Sequence, residues 1–245
     1  MNLFSYIIAG LIILVASFIR AISGFGYALI STPLLTFIFD ARSVVVMNMI
    51  LGSTTNILVL YHMWKHIDFK RAGFITIGSV IGVPIGAYLL SILDTTIIKL
   101  IIAALVIPFS ILQMLGHTHR FSRDNVGCVV AGFFSGILAA STSLGGPAVA
   151  LFLLNQGLTT EKFVGTMAAF FLAITLMSIG AFSTMGLITS DILIRVAIFL
   201  PVLIVGSFAG VRVLPKINVV LFKRLTSSIL VITAVAIIVS LLVGK

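Results

Sequence analysis

The chain has 245 residues, of which 60% are hydrophobic and only 9% are charged. Soluble domains average about 45–50% apolar and about 25% charged residues, so this composition excludes a soluble globular domain and a disordered chain and predicts a polytopic membrane protein. Fifteen basic and six acidic residues give a net charge of +9. Because the basic residues fall between long apolar runs, where they orient helices in a bilayer, we expect the lipid bilayer and not nucleic acid as the partner.

Two regions, residues 3–39 and 126–155, are apolar but interrupted by glycine-rich breaks. The breaks are Arg20-Ala21-Ile22-Ser23-Gly24-Phe25-Gly26 and Ser141-Thr142-Ser143-Leu144-Gly145-Gly146-Pro147. We predict that each region is a hairpin of two short helices. The first apolar run follows Met1-Asn2 without a basic segment, so we expect a retained membrane segment and not a cleaved signal peptide.

The remaining apolar stretches each have about the twenty residues that a bilayer requires. They are 44–63, 72–91, 96–115, 163–185, 192–211 and 225–243. Each hairpin is therefore followed by three spans. This order predicts an all-α membrane protein of two repeats, residues 1–120 and 121–245.

Short sequence matches also indicate an internal duplication. Ala9-Gly10 matches Ala131-Gly132, and the stretch 78–83 (GSVIGV) matches 206–211 (GSFAGV). The alternative is that small residues spaced by four only serve helix packing in the membrane. The shared order and spacing of the matches favour the duplication.

Charge decides the orientation of the repeats, because cytoplasmic loops carry the excess of Lys and Arg. If each broken region crossed the membrane once, the basic residues would divide seven against seven and predict no orientation. If each returns to its starting side, one face carries ten: Lys65, Lys70, Arg71, Arg120, Arg123, Lys162, Arg212, Lys216, Lys223 and Arg224. The other face carries Arg42, Lys99, Arg195 and Lys245, and the fifteenth basic residue, Arg20, lies at a hairpin tip and is left out of both counts. We therefore predict inverted repeats with both termini outside the cell.

The two hairpin tips carry the most specific chemistry. A broken helix leaves backbone groups unpaired, which a membrane protein tolerates where the backbone lines a cavity or is buried in protein. The new helix after each tip, starting near Tyr27 and near Pro147, presents free N–H donors and the positive end of its dipole. Two such helix starts predict an anion site near the midplane. The candidate substrate-binding residues are Arg20, Ser23, Gly24, Gly26, Ser141, Thr142, Ser143, Gly145, Gly146 and Pro147.

Several of these residues have an alternative interpretation. Arg20 either faces a ligand or cavity or lies at the cytoplasmic boundary, where it would only add positive charge. The serine and threonine hydroxyls either contact the anion or bond their own helix backbone. The polar residues of the spans either bond between helices or line the substrate path; they are Asn48, Thr54, Thr55, Asn56, Thr166, Thr175 and Ser178.

The stretch from Gly24 to Leu35 (GFGYALISTPLL), together with Gly145-Gly146-Pro147, resembles the sulfite exporter TauE/SafE family of membrane permeases. The resemblance covers nearly the whole chain. It implies transport of sulfur-containing anions, such as sulfite or small organosulfonates, across a bacterial inner membrane. The first tip reads Gly-Phe-Gly where a fuller glycine run is common in the family.

The residues that are missing also bear on mechanism. The six acidic residues all fall in or next to loops, so we expect no carboxylate proton relay inside the membrane. There is no P-loop motif, which excludes ATP-driven transport within this chain. The sequence lacks the paired acids, nucleophile or metal ligands of an enzyme, and we expect no cofactor and no metal.

We therefore predict a permease that binds a small anion between the two tips and works by alternating access. The alternative is an anion channel in which the same tips line a pore. The oligomeric state is undetermined, a homodimer being one option.

Overall fold

The computed structural model describes residues 3–23, 25–115, 125–154 and 156–213, and it contains helices and no strand in those ranges. The helices are α1 Leu3–Ser23, α2 Tyr27–Leu35, α3 Ala41–Met63, α4 Phe69–Ile92, α5 Thr95–Leu115, α6 Asn125–Thr142, α7 Gly146–Leu154, α8 Thr160–Thr184 and α9 Ser190–Val213. Six of them, α1, α3, α4, α6, α8 and α9, are long and apolar enough to cross a membrane. The all-α, polytopic prediction is confirmed; the span at 225–243 lies outside the described residues.

The hairpins have unequal arms. Both second arms, α2 and α7, have nine residues, which at 1.5 Å per residue is about half of a bilayer core. The first arms, α1 and α6, have 21 and 18 residues and are of spanning length. The prediction of two short helices is therefore wrong for the first arms, because α1 continues through Arg20 instead of ending before it.

Acidic side chains set where two spans begin. The Asp40 carboxylate accepts a hydrogen bond from the Ser43 amide and caps α3. The Asp68 carboxylate accepts one from the backbone amide of Arg71 and caps α4. Such caps satisfy N–H groups that lack a partner within the helix. Burial alone would raise the pKa of Asp40, but hydrogen bonds from Thr95 and Ser43 outweigh it, so this pKa lies below its ordinary value.

Glycines bring two helix pairs into backbone contact. A Cβ at Gly82 or Gly86 of α4 would collide with the backbone of α6, at the carbonyls of Phe133 and Ile137. A Cβ at Gly206 or Gly210 of α9 would collide with the backbone of α1, at the carbonyls of Leu14 and Phe18. In membranes, where no hydrophobic effect drives helices together, such close approach provides packing energy. The glycine-rich stretches are thus packing surfaces in both halves.

These contacts relate the glycines of α4 and α9 differently from the sequence matches. Leu14 and Phe133 lie at the same distance from the ends of α1 and α6, and they contact Gly206 and Gly82, respectively. Gly206 therefore meets α1 at the level at which Gly82 meets α6, and Gly82 lies one helical turn from the Gly78 of the sequence match. Gly10 and Gly132 differ in their surroundings, since a Cβ at Gly132 would strike Ile75 whereas nothing lies within 4 Å of one at Gly10.

The contacts fix the relative direction of the helices. Along α4 and α6 the contacting residues ascend together, and the same holds for α1 and α9, so each pair runs in one direction. The amide of Asp68 donates to the hydroxyl of Thr166 at 3.0 Å, which places the start of α4 beside the start of α8. Arg42 donates to the Leu93 carbonyl at 2.9 Å and joins the start of α3 to the end of α4.

Candidate functional site

A cavity of about 50 Å³ lies where the first hairpin tip meets α3, α8 and the second tip. A single water needs about 10–15 Å³ of such volume, so the cavity has room for a few water-sized groups, the size of a small polyatomic anion. Its walls are Arg20, Phe25, Gly26, Tyr27, Ala28, Leu29, Asn48, Met49, Gly52, Asn56, Ser143, Leu144, Gly146, Phe171 and Thr175. Gly52 and Phe171 lie near the midpoints of α3 and α8, so the cavity lies at about half the depth of the bundle.

Arg20 supplies the charge of the cavity. It lies in the last turn of α1 and is only 4% exposed. Its Nη2 donates to the Oδ1 of Asn56, and its guanidinium carbon lies 4.9 Å from the centroid of the Phe171 ring. Its Nη1 is buried and has no hydrogen-bond partner among the described residues. Arg20 is therefore part of the cavity wall and does not lie at a water-exposed boundary.

No acidic side chain balances this charge in the described part of the chain. The cavity walls contain no Asp or Glu, and the ion pair found among the described residues joins Arg71 to Asp68 at one end of the bundle. A buried cation without a counter-ion is costly, because burial removes its hydration. The site is therefore chemically complementary to an anion.

The start of α2 adds backbone donors. Gly26, the N-cap of α2, has φ 114°, a left-handed conformation that favours glycine, and its lack of a side chain leaves the helix without a side-chain cap. The first N–H groups of a helix have no partner within it. The residues that carry them, Tyr27, Ala28 and Leu29, line the cavity. The positive end of the α2 dipole therefore lies at the cavity.

The second tip contributes less than the sequence suggested. The hydroxyls of Ser141 and Thr142 donate to carbonyls of their own helix, at 2.7 Å in both cases. Gly145 is packed, since its carbonyl accepts from Ser135 at 2.6 Å and a Cβ at this position would lie 2.6 Å from that of Ala139. These three residues do not line the cavity.

Of the other candidates, Ser143 and Gly146 are cavity residues, as are Arg20 and Gly26 of the first tip. Pro147 is the second residue of α7 and does not line the cavity. The Ser23 side chain and Gly24 lie outside the described residues. Whether the cavity residues contact substrate stays a prediction.

A chain of hydrogen bonds crosses from α3 to the second tip. The Nδ2 of Asn48 donates to the Thr32 hydroxyl at 2.9 Å, and that hydroxyl lies 2.5 Å from the Ser143 hydroxyl. Ser143 in turn donates to the Thr142 carbonyl at 2.6 Å. Through α2, which carries Thr32, this chain joins the two hairpins directly.

One face of α3 provides a recess that sequence reasoning missed. Asn48, Gly52 and Asn56 are spaced by four, so they lie along one face of the helix, and all three line the cavity. Nothing lies within 4 Å of a Cβ built on Gly52, so the glycine leaves open space between the two asparagines. Asn48 and Asn56 form interhelical bonds, as one interpretation of the span residues predicted, and they also line the cavity; a role in the substrate path stays a prediction. The spacing of Asn48, Gly52 and Asn56 is visible in the sequence, whereas nothing in the sequence indicates that Phe171 lines a cavity.

A family model described as Sulfite exporter TauE/SafE matches residues 9–237. The matched range is nearly the whole chain and includes every residue that lines the cavity. No curated protein matches the chain, and no solved structure does.

Proposed function

The chain belongs to the sulfite exporter TauE/SafE family of membrane permeases, which are transporters and not enzymes, and we propose that it exports sulfite or a small organosulfonate across a bacterial inner membrane by binding the anion beside Arg20. The observation that carries the proposal is the buried guanidinium, whose Nη1 has no partner among the described residues. The bound anion supplies the charge that this site lacks.

The cavity offers an anion two kinds of donor. Arg20 Nη1 donates a charge-assisted hydrogen bond, the stronger class in proteins. The first amides of α2 add neutral donors and a favourable dipole. Asn56 holds Nη2, so the guanidinium is oriented before the anion arrives, and a preorganised donor loses less entropy on binding.

We propose alternating access between two inverted repeats as the mechanism. The proposal is supported by the exchange of partners between the halves, since α4 packs on α6 as α9 packs on α1. The site lies between these pairs, at the tips of the hairpins. In transporters of this kind, one packed group rocks against the other around a fixed midplane site.

We propose that the end of the bundle with Lys65, Lys70, Arg71 and Lys162 is cytoplasmic, so that both termini are outside. The Asp68–Thr166 hydrogen bond, which brings the loops of these residues together, supports this orientation. Arg42 and Arg195 lie at the other end. There the guanidinium carbon of Arg195 lies 4.8 Å from the centroid of the Phe39 ring. An inside-negative potential of 100 mV then favours anion exit by about 2.3 kcal/mol per charge.

Substitution of Arg20 tests the binding site. In purified protein we expect Arg20→Gln to weaken sulfite binding about 10- to 150-fold, the effect of losing a hydrogen bond to a charged group. Arg20→Lys should retain part of the affinity, because lysine keeps the positive charge but lacks the planar pair of N–H donors of the guanidinium. Calorimetric titration measures both, with cysteine labelling to check that topology is intact.

Arg195→Gln is the matched control. It removes the same charge and a similar ring contact at a place outside the cavity, so its affinity should equal that of the wild type. Wild-type affinity in Arg20→Gln would refute the proposed site.

Flux in proteoliposomes separates a transporter from the channel alternative. We expect labelled sulfite export to saturate and to accelerate when unlabelled sulfite is present on the opposite side, because a carrier returns faster when loaded. Flux that rises linearly with concentration and lacks this exchange would favour a channel.

A further inference from the structure

The hydrogen-bond chain from Asn48 to Thr142 has a fixed direction. It contains three close oxygen or nitrogen contacts, and each needs one proton between the two atoms. The Thr142 carbonyl can only accept, so the hydroxyl proton of Ser143 goes to it. The proton between Ser143 and Thr32 must then come from Thr32.

The same count fixes the orientation of the Asn48 amide. Because Thr32 has used its single proton on Ser143, it can only accept from Asn48, and the amide nitrogen must face it. The Oδ1 of Asn48 therefore faces away from Thr32. This oxygen is buried and has no partner among the described residues. Asn48 is only 2% exposed and lines the cavity.

Three buried side-chain atoms of cavity residues have no hydrogen-bond partner among the described residues: the cationic donor Arg20 Nη1, the neutral acceptor Asn48 Oδ1, and the Tyr27 hydroxyl, which can donate to an anion. The recess at Gly52 lies between Asn48 and Asn56 on α3, and Asn56 holds Arg20. A ligand that offers only lone pairs satisfies Nη1 but leaves the acceptor unpaired, which is unfavourable in a buried site. A ligand with a negative charge and a proton to donate satisfies both.

We propose that this site selects anions that also carry a hydrogen-bond donor: the protonated monoanion of sulfite over the dianion, and hydroxyl-bearing sulfonates over plain alkyl sulfonates. The inference rests on the proposed anion site and names the ligand chemistry that the site takes. Asn48 is the residue that determines this specificity, with Thr32 and Ser143 as positioning residues.

The pH dependence of binding reports the titration of the ligand and not that of the protein. Arg20 and Tyr27 are the titratable cavity residues among those described. The other charged or titratable groups of the surrounding helices are near helix ends, as His62 is on α3 and Glu161 and Lys162 are on α8. Sulfite, in contrast, exchanges its last proton near neutral pH.

The first test follows binding by calorimetry on the full chain in nanodiscs, without oxygen and at constant ionic strength. Sulfite affinity should fall about tenfold per pH unit above the second ionisation of sulfite. The affinity of 2-hydroxyethanesulfonate, whose donor does not titrate in this range, should stay constant. Sulfite affinity that is constant or rises with pH would overturn the inference.

The second test compares two sulfonates at one pH. We expect 2-hydroxyethanesulfonate to bind about 5- to 150-fold more tightly than ethanesulfonate, the effect of one buried acceptor left unpaired. Equal affinities would overturn the inference while leaving the proposed anion site intact. If neither sulfonate nor sulfite binds at any pH, the proposed function fails as well.

Variants assign the preference to Asn48. In Asn48→Leu the ratio of the two affinities should fall towards one. Thr32→Val should also lower it, because the amide is then free to turn an N–H to the anion. Thr55→Val is the matched control, since this threonine bonds Ser207 outside the cavity, and its ratio should stay at the wild-type value. An unchanged ratio in Thr32→Val would refute the fixed orientation of Asn48.

Discussion

The two hairpin tips are both rich in glycine but have different surroundings. At the first tip, Arg20 and the uncapped start of α2 face the cavity. At the second, Ser141 and Thr142 bond their own helix, and Gly145 is wedged against α6. A glycine-rich break therefore identifies a turn in a membrane helix, but the neighbouring helices decide whether that turn lines a cavity or packs against protein.

The largest expected effect separates the two adjacent glycines of the second tip. Gly145→Ala places a methyl group 2.7 Å from the Ser135 carbonyl and 2.6 Å from the Ala139 Cβ, so we expect a destabilisation of about 1–3 kcal/mol or more. Gly146→Ala meets the Phe171 ring edge at 3.3 Å and the Phe25 side chain at 3.7 Å, which are contacts that small shifts relieve, and it should fold. Thermal unfolding in detergent measures both; equal melting temperatures would mean that the second tip is not packed as described.

A methyl group in the recess on α3 should separate stability from binding. Gly52→Ala improves helix propensity by about 1 kcal/mol and meets no atom within 4 Å, so the protein should unfold at a higher temperature. Because the methyl occupies the cavity, we expect sulfite affinity to fall about tenfold, an overpacking cost of the bound state.

Gly180→Ala is the control for this change, since it also meets no atom within 4 Å but lies outside the cavity. It should give the same rise in melting temperature with no change in affinity. A normal affinity in Gly52→Ala would place the anion elsewhere.

The smallest effect is expected at Ser141. Its hydroxyl donates to the Ile137 carbonyl, a local bond that contributes little to helix stability. Ser141→Ala should therefore change sulfite affinity less than about twofold, the range of a surface or locally bonded group. A loss as large as that of Arg20→Gln would make the second tip a ligand-binding element equal to the first.

Most of the fold was predictable because membrane-spanning helices can be recognised in a sequence by their length and their apolar composition. The span predicted at 72–91 is α4, Phe69–Ile92, and the breaks fall where glycine and proline allow the chain to turn. The sequence did not predict which glycine of α4 corresponds to Gly206 of α9, because Gly78 and Gly82 belong to one repeating glycine pattern. Only the contact across to α6 distinguishes them.

The site was predictable in part. The charge of Arg20 in an apolar run indicated function, since such a residue is costly to insert. Its partner Asn56 lies 36 residues away, and contacts at that separation depend on packing that local sequence does not encode. The hydroxyls of Ser141 and Ser143 look alike in the sequence, but only Ser143 meets Thr32 of the other hairpin.

The uncompensated charge of Arg20 has an electrical consequence for the transport cycle. On the proposed mechanism, a protein loaded with a monoanion crosses as a neutral complex, on which the membrane voltage does not act. The empty protein returns with one positive charge at its site, and a potential of 100 mV draws that charge towards the cytoplasm with up to about 2.3 kcal/mol. The membrane potential would then drive the return of the empty carrier, while the concentration gradient of the anion drives the loaded step.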